Sequence, residues 1–105
     1  MEGRFLNKQL IYTELQRNKL VLEQYGVHQI GLFGSFVRDE GTADSDIDFL
    51  VDFEPGKKTF DNFMDLAFFL EDVFQRKVEI ITRQGLSPYI GPHILKTVEN
   101  VSFAD

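Results

Sequence analysis

Two aspartates, Asp46 and Asp48, stand two positions apart at the start of a strongly apolar stretch. Within residues 46–53, apolar side chains occupy every second position, namely Ile47, Phe49, Val51 and Phe53. This period of two predicts a β-strand, in which side chains at i and i+2 project from the same face, with Cα atoms roughly 6.5–7 Å apart. Mg²⁺ prefers carboxylate oxygens, and two-metal phosphoryl sites hold their ions about 3.5–4 Å apart. The spacing therefore predicts that the two carboxylates can lean toward one point and share hard cations such as Mg²⁺.

A glycine–serine pair, Gly34 and Ser35, follows an apolar run and is separated from Asp46 by ten residues. Glycine at the end of a strand lets a phosphate approach the backbone, because there is no Cβ in the way. The residues that follow contain no helix breaker, so backbone N–H groups and the serine hydroxyl can bind a phosphate there. Arg38 is the only Lys or Arg within residues 20–56. These three residue types predict a phosphate-binding site opposite the paired aspartates.

A third carboxylate, Glu79, lies within a short apolar stretch, residues 77–82, whose alternation also predicts a strand. A charged side chain in such a strand is costly to bury unless it is paired or bound to a metal. We therefore expect Glu79 to be the third carboxylate of the metal site. The alternative is an edge-strand charge that discourages aggregation between sheets.

Composition limits the kind of protein. At 105 residues the chain is expected to form one domain, residues 1–105. It has no cysteine, which excludes disulfides and thiolate metal sites. No signal peptide and no long apolar span are present, so we expect a soluble cytoplasmic protein without a membrane segment. The net charge is −6, with seven acids in residues 39–54, so direct binding to nucleic acid is not expected.

The remaining patterns predict the elements that must position these residues. The expected fold is α/β (α+β), with a three-stranded mixed sheet flanked by helices. Residues 1–8 are expected to be a loosely ordered tail. The expected elements are a helix over 9–25 broken near Asn18 and stopped by Gly26, strands over 27–35, 46–53 and 77–82, a helix from Thr59 or Asp61 to about Gln75, and a short helix near 94–98.

The helix before Gln75 is apolar around most of its circumference. One stripe contains Phe60, Phe63, Met64, Ala67 and Phe74, and a second contains Leu66, Phe69, Leu70 and Val73. A helix with two apolar stripes is usually buried on more than one side. A small sheet can cover only one of them, so we predict that part of this helix is a protein interface. The alternative is a core that is entirely intramolecular.

The motif Gly34-Ser35, ten residues, Asp46-x-Asp48 resembles the signature of the DNA polymerase β-like nucleotidyltransferase superfamily. The stretches 32–38 and 45–51 are similar to the minimal nucleotidyltransferases, which are encoded beside HEPN-domain partners in prokaryotic toxin–antitoxin pairs. The resemblance covers about residues 9–101. The chain departs from the family pattern at two positions, with Asp39 where glycine is usual and Glu79 where aspartate is usual.

The resemblance implies an activity: Mg²⁺-dependent transfer of AMP from ATP to a hydroxyl, most simply a tyrosine of a HEPN-domain toxin that is silenced by the modification. Gly34, Ser35 and Arg38 would bind the nucleotide. Asp46 and Asp48 would hold two Mg²⁺ ions, and Glu79 would assist the catalytic ion and draw the proton from the attacking hydroxyl. Larger relatives carry a domain for the acceptor, so here another molecule or another copy in a homo-oligomer is expected to supply it.

Two other functions are compatible with these residues. A non-catalytic antitoxin would neutralise a HEPN toxin by binding alone, which the glutamate at position 79 favours. A small-molecule nucleotidyltransferase acting on an antibiotic would need a partner subunit. Nothing in the sequence indicates which nucleotide base is preferred.

Overall fold

The computed structural model describes residues 6–101 and residue 103. A four-stranded sheet forms its centre, in the order β3-β2-β1-β4. The elements in chain order are α1 (Lys8–Arg17), α2 (Lys19–Gln24), β1 (Val27–Phe33), β2 (Ile47–Phe53), α3 (Phe60–Phe74), β3 (Val78–Thr82), a 3₁₀ turn (Arg83–Gly85), α4 (Gly91–Thr97) and β4 (Glu99–Asn100). Strand β1 is antiparallel to β2 and β4, whereas β2 and β3 are parallel. The predicted mixed sheet with flanking helices is confirmed.

The predicted number of strands is wrong, because the described residues form a sheet of four strands rather than three. Strand β4 contains only two residues, which pair with Gly31 and Leu32 of β1. Two residues are too few to produce an alternating pattern, so periodicity could not reveal this strand. The hydroxyl of Tyr12 donates a hydrogen bond to the Glu99 carboxylate and thereby ties α1 to β4.

Local capping explains where the first helices begin and end. The Asn7 side chain accepts a hydrogen bond from the Leu10 N–H at 2.9 Å, as expected for a residue at a helix N-terminus. Asn18 divides α1 from α2, and its side-chain amide donates to the Glu14 carbonyl, so the predicted break is confirmed. Gly26 has a φ of +84°, which allows the chain to leave α2 and enter β1.

The long helix α3 is also bounded by its caps. Thr59 accepts a hydrogen bond from the Asn62 N–H, and the helix ends at Gln75, whose φ of 54° is in the left-handed region. The predicted bounds of this helix are thus confirmed within one residue. None of the helices in the described part of the chain is long and apolar enough to cross a membrane.

The two faces of β2 are covered differently. Ile47, Phe49, Val51 and Phe53 point into the main core beneath the first three helices. Leu50 is also buried, but on the opposite face and outside that core. Its cross-strand partner Gly31 lies so close to the segment after α4 that a Cβ would meet Val98 Cγ2 at 2.6 Å. The C-terminal segment therefore covers the middle of the second face, beside the end that carries Asp48.

Helix α3 leaves aromatic side chains uncovered. Leu66, Leu70 and Phe74 are buried against the sheet, whereas Phe60 is 77% exposed and Phe68 is 61% exposed. The chain thus covers only part of the apolar circumference, as expected for a single small sheet. The protein interface at this surface stays a prediction.

The predicted N-terminal tail lies mostly outside the described residues, which begin at Leu6. Leu6 packs against the core, and α1 already begins at Lys8. The Asn7 cap and the apolar contact of Leu6 hold the first turn of α1.

Candidate functional site

The acidic part of the site is built by the register of two parallel strands. Asp48 of β2 lies directly beside Glu79 of β3. Residues that are paired across a sheet point to the same face, so both carboxyl groups project from the face opposite the main core. On the other side, Asp48 is paired with Phe33, the last residue of β1. The structure thus brings Asp48 and Glu79 together at the end of the sheet where β1 passes into Gly34.

The two carboxyl groups crowd each other. The pKa of Asp48 is raised to about 6, first by burial of its side chain, then by the negative charge of Glu79 and by a hydrogen bond with that residue. Asp46 raises it further, whereas the positive charge of Arg38 opposes the shift. Negative charge is therefore concentrated here beyond what the nearby basic side chain balances.

Asp46 is less buried than Asp48. It is exposed and lies just before β2, whose first residue, Ile47, donates its N–H to the Lys77 carbonyl at 3.1 Å. The strand therefore begins one residue later than predicted. Asp46 is close enough to raise the pKa of Asp48, yet the described residues contain no ready-made cluster of three metal-binding side chains. Asp48 and Glu79 form the contact pair, and Asp46 stands beside it.

Gly34 is required by both its conformation and its surroundings. Its φ is +79°, a region that disfavours residues with a side chain. A Cβ at this position would lie 2.1 Å from Oδ2 of Asp48. Any other residue would push the Asp48 carboxylate away, so Gly34 sets the close approach between the backbone after β1 and the acidic pair.

Ser35 begins a compact turn. Its carbonyl oxygen accepts hydrogen bonds from the N–H groups of Arg38 at 3.2 Å and Glu40 at 2.9 Å. The exposed Arg38 side chain forms an ion pair with the Glu40 carboxylate at 2.9 Å. An exposed ion pair of this kind contributes about 0–1 kcal/mol to stability. Arg38 can therefore give up its contact with Glu40 and bind a phosphate group instead at little cost. Gly34, which directly precedes this turn, lies against the Asp48 side chain, so the turn and the acidic pair adjoin each other.

The departure at Asp39 has a structural counterpart. Asp39 has a φ of 58°, in the left-handed region that glycine adopts without strain and that aspartate tolerates better than most residues.

Lys8, which was not predicted from the sequence, approaches the turn that contains Asp39. Its Nζ donates to the Val37 carbonyl at 3.3 Å and lies 3.9 Å from the Asp39 carboxylate. A lone lysine in a polar segment carries no sequence signal for such a long-range contact.

The chemistry of the donor set fits a hard divalent cation. Two crowded carboxyl groups, with a third nearby, supply the oxygen ligands that Mg²⁺ prefers. A cation between them would remove the repulsion that raises the pKa of Asp48. The predicted metal ligands and nucleotide-binding residues are thus neighbours, although their roles stay predictions.

A mixed sheet with a glycine turn beside a carboxylate pair is the arrangement expected from the resemblance to nucleotidyltransferases, and comparison with known families agrees. The family model described as "Nucleotidyltransferase domain" matches residues 16–100. The chain belongs to this family, so the resemblance seen in the sequence is confirmed. The protein is therefore classed with the nucleotidyltransferase enzymes.

Two individual proteins with similar sequences are described as protein adenylyltransferases. Protein adenylyltransferase MntA of Thermococcus cleftensis is 38% identical over 80 residues, which are 76% of this chain and 80% of that protein. MJ0435 of Methanocaldococcus jannaschii, described as a candidate protein adenylyltransferase, is 35% identical over 90 residues, covering 85% of this chain and 96% of that one.

Solved structures give the same fold. A candidate minimal nucleotidyltransferase superimposes with a TM-score of 0.78 at 26% identity, covering 90% of this chain and 96% of that chain. A toxin–antitoxin structure with AMP-PNP superimposes with a TM-score of 0.67, covering 86% of this chain and 74% of that chain. Its identity is 17%, so this second likeness supports the fold alone.

Proposed function

We propose that this protein transfers AMP from ATP to a tyrosine hydroxyl of a HEPN-domain toxin, with Mg²⁺, and thereby acts as its antitoxin in the cytoplasm. The observation that carries the proposal is the contact pair of Asp48 and Glu79 beside Gly34. The protein adenylyltransferase MntA, at 38% identity, supports the same chemistry.

Each site residue then has a physical role. Gly34 lets the phosphates approach the backbone, and the Ser35 hydroxyl donates a hydrogen bond to them. Arg38 gives up its ion pair with Glu40 and neutralises the negative charge of the phosphates. Asp46, Asp48 and Glu79 would hold two Mg²⁺ ions, which when bound neutralise the phosphate charge and stabilise the leaving group.

The transfer is a single displacement at phosphorus. The acceptor oxygen attacks the α-phosphorus, the bond from that phosphorus to the bridging oxygen of the β-phosphate breaks, and pyrophosphate leaves. Glu79, on the same face as Asp48, accepts the proton of the attacking hydroxyl. Catalysis of this kind depends mainly on positioning and charge neutralisation.

The acceptor is expected to be a protein. The described part of the chain offers no second domain beside the site, and Phe60 and Phe68 leave an apolar surface on α3. A protein partner can cover such a surface, whereas a small molecule leaves it exposed.

One observation favours a second function, a non-catalytic antitoxin that neutralises the toxin by binding alone. In residues 6–101 no three carboxylates are drawn together as a finished metal site. A protein whose third carboxylate has become a longer glutamate could keep its toxin-binding surface after losing transfer activity.

The two functions differ in whether a covalent bond forms. The protein is incubated with α-labelled ATP, Mg²⁺ and a HEPN-domain protein as the candidate partner, and that partner is analysed by intact-mass and peptide mass spectrometry. We expect one added AMP on a tyrosine, and no label with the Asp46→Asn, Asp48→Asn double variant. A tight complex without label would establish the binder instead, and label on an added antibiotic in place of the partner would establish a small-molecule transferase.

A further inference from the structure

Arg76, in the turn between α3 and β3, contacts the site loop (residues 36–45) near both of its ends. Its Nη1 donates hydrogen bonds to the carbonyl oxygens of Thr42 at 2.9 Å and Ser45 at 2.8 Å. Its guanidinium carbon Cζ lies over the ring of Phe36, 5.2 Å from the centroid. A single side chain from a neighbouring element therefore joins two segments that are nine residues apart in sequence.

These contacts lie next to the site residues themselves. Phe36 directly follows Ser35, and Ser45 directly precedes Asp46. The contact with Phe36 therefore restrains the phosphate side of the site, and the hydrogen bond to Ser45 restrains the carboxylate side. Neither contact touches a group that would bind the nucleotide or the metal.

The site loop is folded around the Phe36 ring, which gives Arg76 a firm support. Phe36 is buried, and the backbone of Gly41 passes so close that a Cβ there would lie 2.4 Å from two ring carbons. On the opposite side of the loop, Ile47 is joined to Lys77, the neighbour of Arg76, by a backbone hydrogen bond of 3.1 Å. The position of Arg76 is thus tied to the start of both β2 and β3.

Arginine suits this set of contacts, because one guanidinium nitrogen donates both hydrogen bonds while the guanidinium carbon lies over the Phe36 ring. Its planar fork presents several N–H donors in fixed directions and can stack on an aromatic face while it donates to carbonyl oxygens. A lysine at the same place has the charge but neither the plane nor the fork. A role based on shape therefore differs measurably from a role based on charge.

We propose that Arg76 is a positioning residue, which holds the phosphate-binding turn at Ser35 and the carboxylate at Asp46 at a fixed separation. The proposal rests on the proposed nucleotidyltransferase function. Catalysis by positioning is sensitive to displacements of about 1 Å, which can cost on the order of a hundredfold in rate.

The test compares Arg76→Lys with Arg76→Gln and with the control Arg17→Lys. Arg17 is an exposed arginine of α1 that pairs with Glu14, so its replacement controls for the loss of a guanidinium elsewhere. For each protein we would measure kcat and KM for ATP, the binding of Mg²⁺ with the ATP analogue AMP-PNP by calorimetry in the absence of an acceptor, and the midpoint of thermal unfolding.

We expect kcat of Arg76→Lys and Arg76→Gln to fall by about ten- to a hundredfold alike, at temperatures where both are fully folded. Binding of AMP-PNP with Mg²⁺ should weaken in both variants, and Arg17→Lys should match the wild type. Full activity and binding in Arg76→Lys would overturn the proposal, because charge alone would then suffice. A loss that disappears once unfolded protein is accounted for would also overturn it.

The outcomes separate this proposal from the function on which it rests. A wild type that transfers AMP, with an equally active Arg76→Lys, refutes only the positioning role. A wild type that binds AMP-PNP without transferring AMP refutes the transferase function, and the binding data still decide the role of Arg76. A wild type that neither binds nor transfers refutes both.

Discussion

The two faces of the seven-residue strand β2 have different physical roles. On one face, Phe49 and its apolar neighbours are almost completely removed from water and pack beneath the helices. On the other, Asp48 and Asp52 flank the buried Leu50. The first face stabilises the fold through burial, whereas the second holds a carboxylate at a cost, since the pKa of Asp48 is raised. Stability and chemistry are thus carried by alternate residues of one strand.

A second contrast lies within the polar face. Asp48 and Asp52 are the same residue type, on the same strand and face, and both are partly buried. Asp52 is paired with Gln29 and lies beyond the last pairing between β2 and β3. Asp48 is paired with Glu79 and lies against Gly34. What the neighbouring strands bring to each aspartate, and not the aspartate itself, distinguishes the site from an ordinary sheet residue.

The largest expected effect tests this contrast directly. Asp48→Asn should lower AMP transfer by about a thousandfold or more, because a metal-binding carboxylate acts on charge that develops in the reaction. The variant should remain folded, with an unchanged or higher unfolding midpoint, since it relieves the repulsion from Glu79. Asp52→Asn is the matched control and should retain transfer. Equal losses in both variants would remove the distinction between the two ends of the face.

The apolar face is tested by truncation of Phe49. Phe49→Ala removes a fully buried ring that contacts Phe74, with centroids 6.0 Å apart, and should lower the free energy of unfolding by about 3–5 kcal/mol. Phe68→Ala removes the same atoms from an exposed position on α3 and should change it by less than about 0.5 kcal/mol. Urea unfolding followed by circular dichroism measures both values. A similar cost for the two variants would show that burial in this core is not the main source of stability.

Glu79 is expected to have a smaller effect than Asp48. Glu79→Gln should lower transfer by about a hundredfold, the scale of a lost proton acceptor, whereas Glu79→Asp, which carries the residue usual in the family, should keep at least a tenth of the activity. Initial rates of labelled AMP transfer measure both. Full activity in Glu79→Gln would remove this residue from the site and leave Asp46 and Asp48 as the only candidate ligands.

The smallest expected effect is the pH dependence of stability that arises from His28, at the far end of the sheet from Gly34. The pKa of His28 is raised, mainly by its 2.9 Å hydrogen bond to the Glu54 carboxylate and by the charge of that group. The folded state therefore holds this proton more tightly than the unfolded state. The resulting stabilisation is present below the unfolded pKa of about 6.5 and is lost as the pH rises through the folded pKa.

The pH dependence is checked by NMR titration of the His28 ring. In Glu54→Gln its midpoint should fall toward the ordinary histidine value, and the fall in unfolding midpoint between pH 6 and pH 8 should become shallower. Transfer activity at constant pH should be unaffected, because this ion pair lies at the opposite end of the strands from Gly34. An unchanged midpoint in the variant would assign the shift to another cause.

The main elements could be predicted because their patterns are local. Strong alternation identified β2, Asn18 and Gly26 marked the helix ends, and Thr59 and Gln75 bounded α3. The short strand β4 could not be predicted, since two residues have no period and pair only after β1 is in place. The contacts of Lys8 and Arg76 were also invisible, because each links residues about thirty positions apart through side-chain shape.

The sequence by itself determined the inventory of the site: a glycine and serine after one strand, two alternating aspartates at the start of the next, and a glutamate in a third. Covalent spacing and strand periodicity act within each segment, so these could be read directly. Only the tertiary structure decided that Asp48 and Glu79 share a register and crowd each other, that Asp46 lies just outside the strand beside them, and that Arg76 joins the two ends of the loop. Register between strands depends on the packing of the whole sheet, which no single segment encodes.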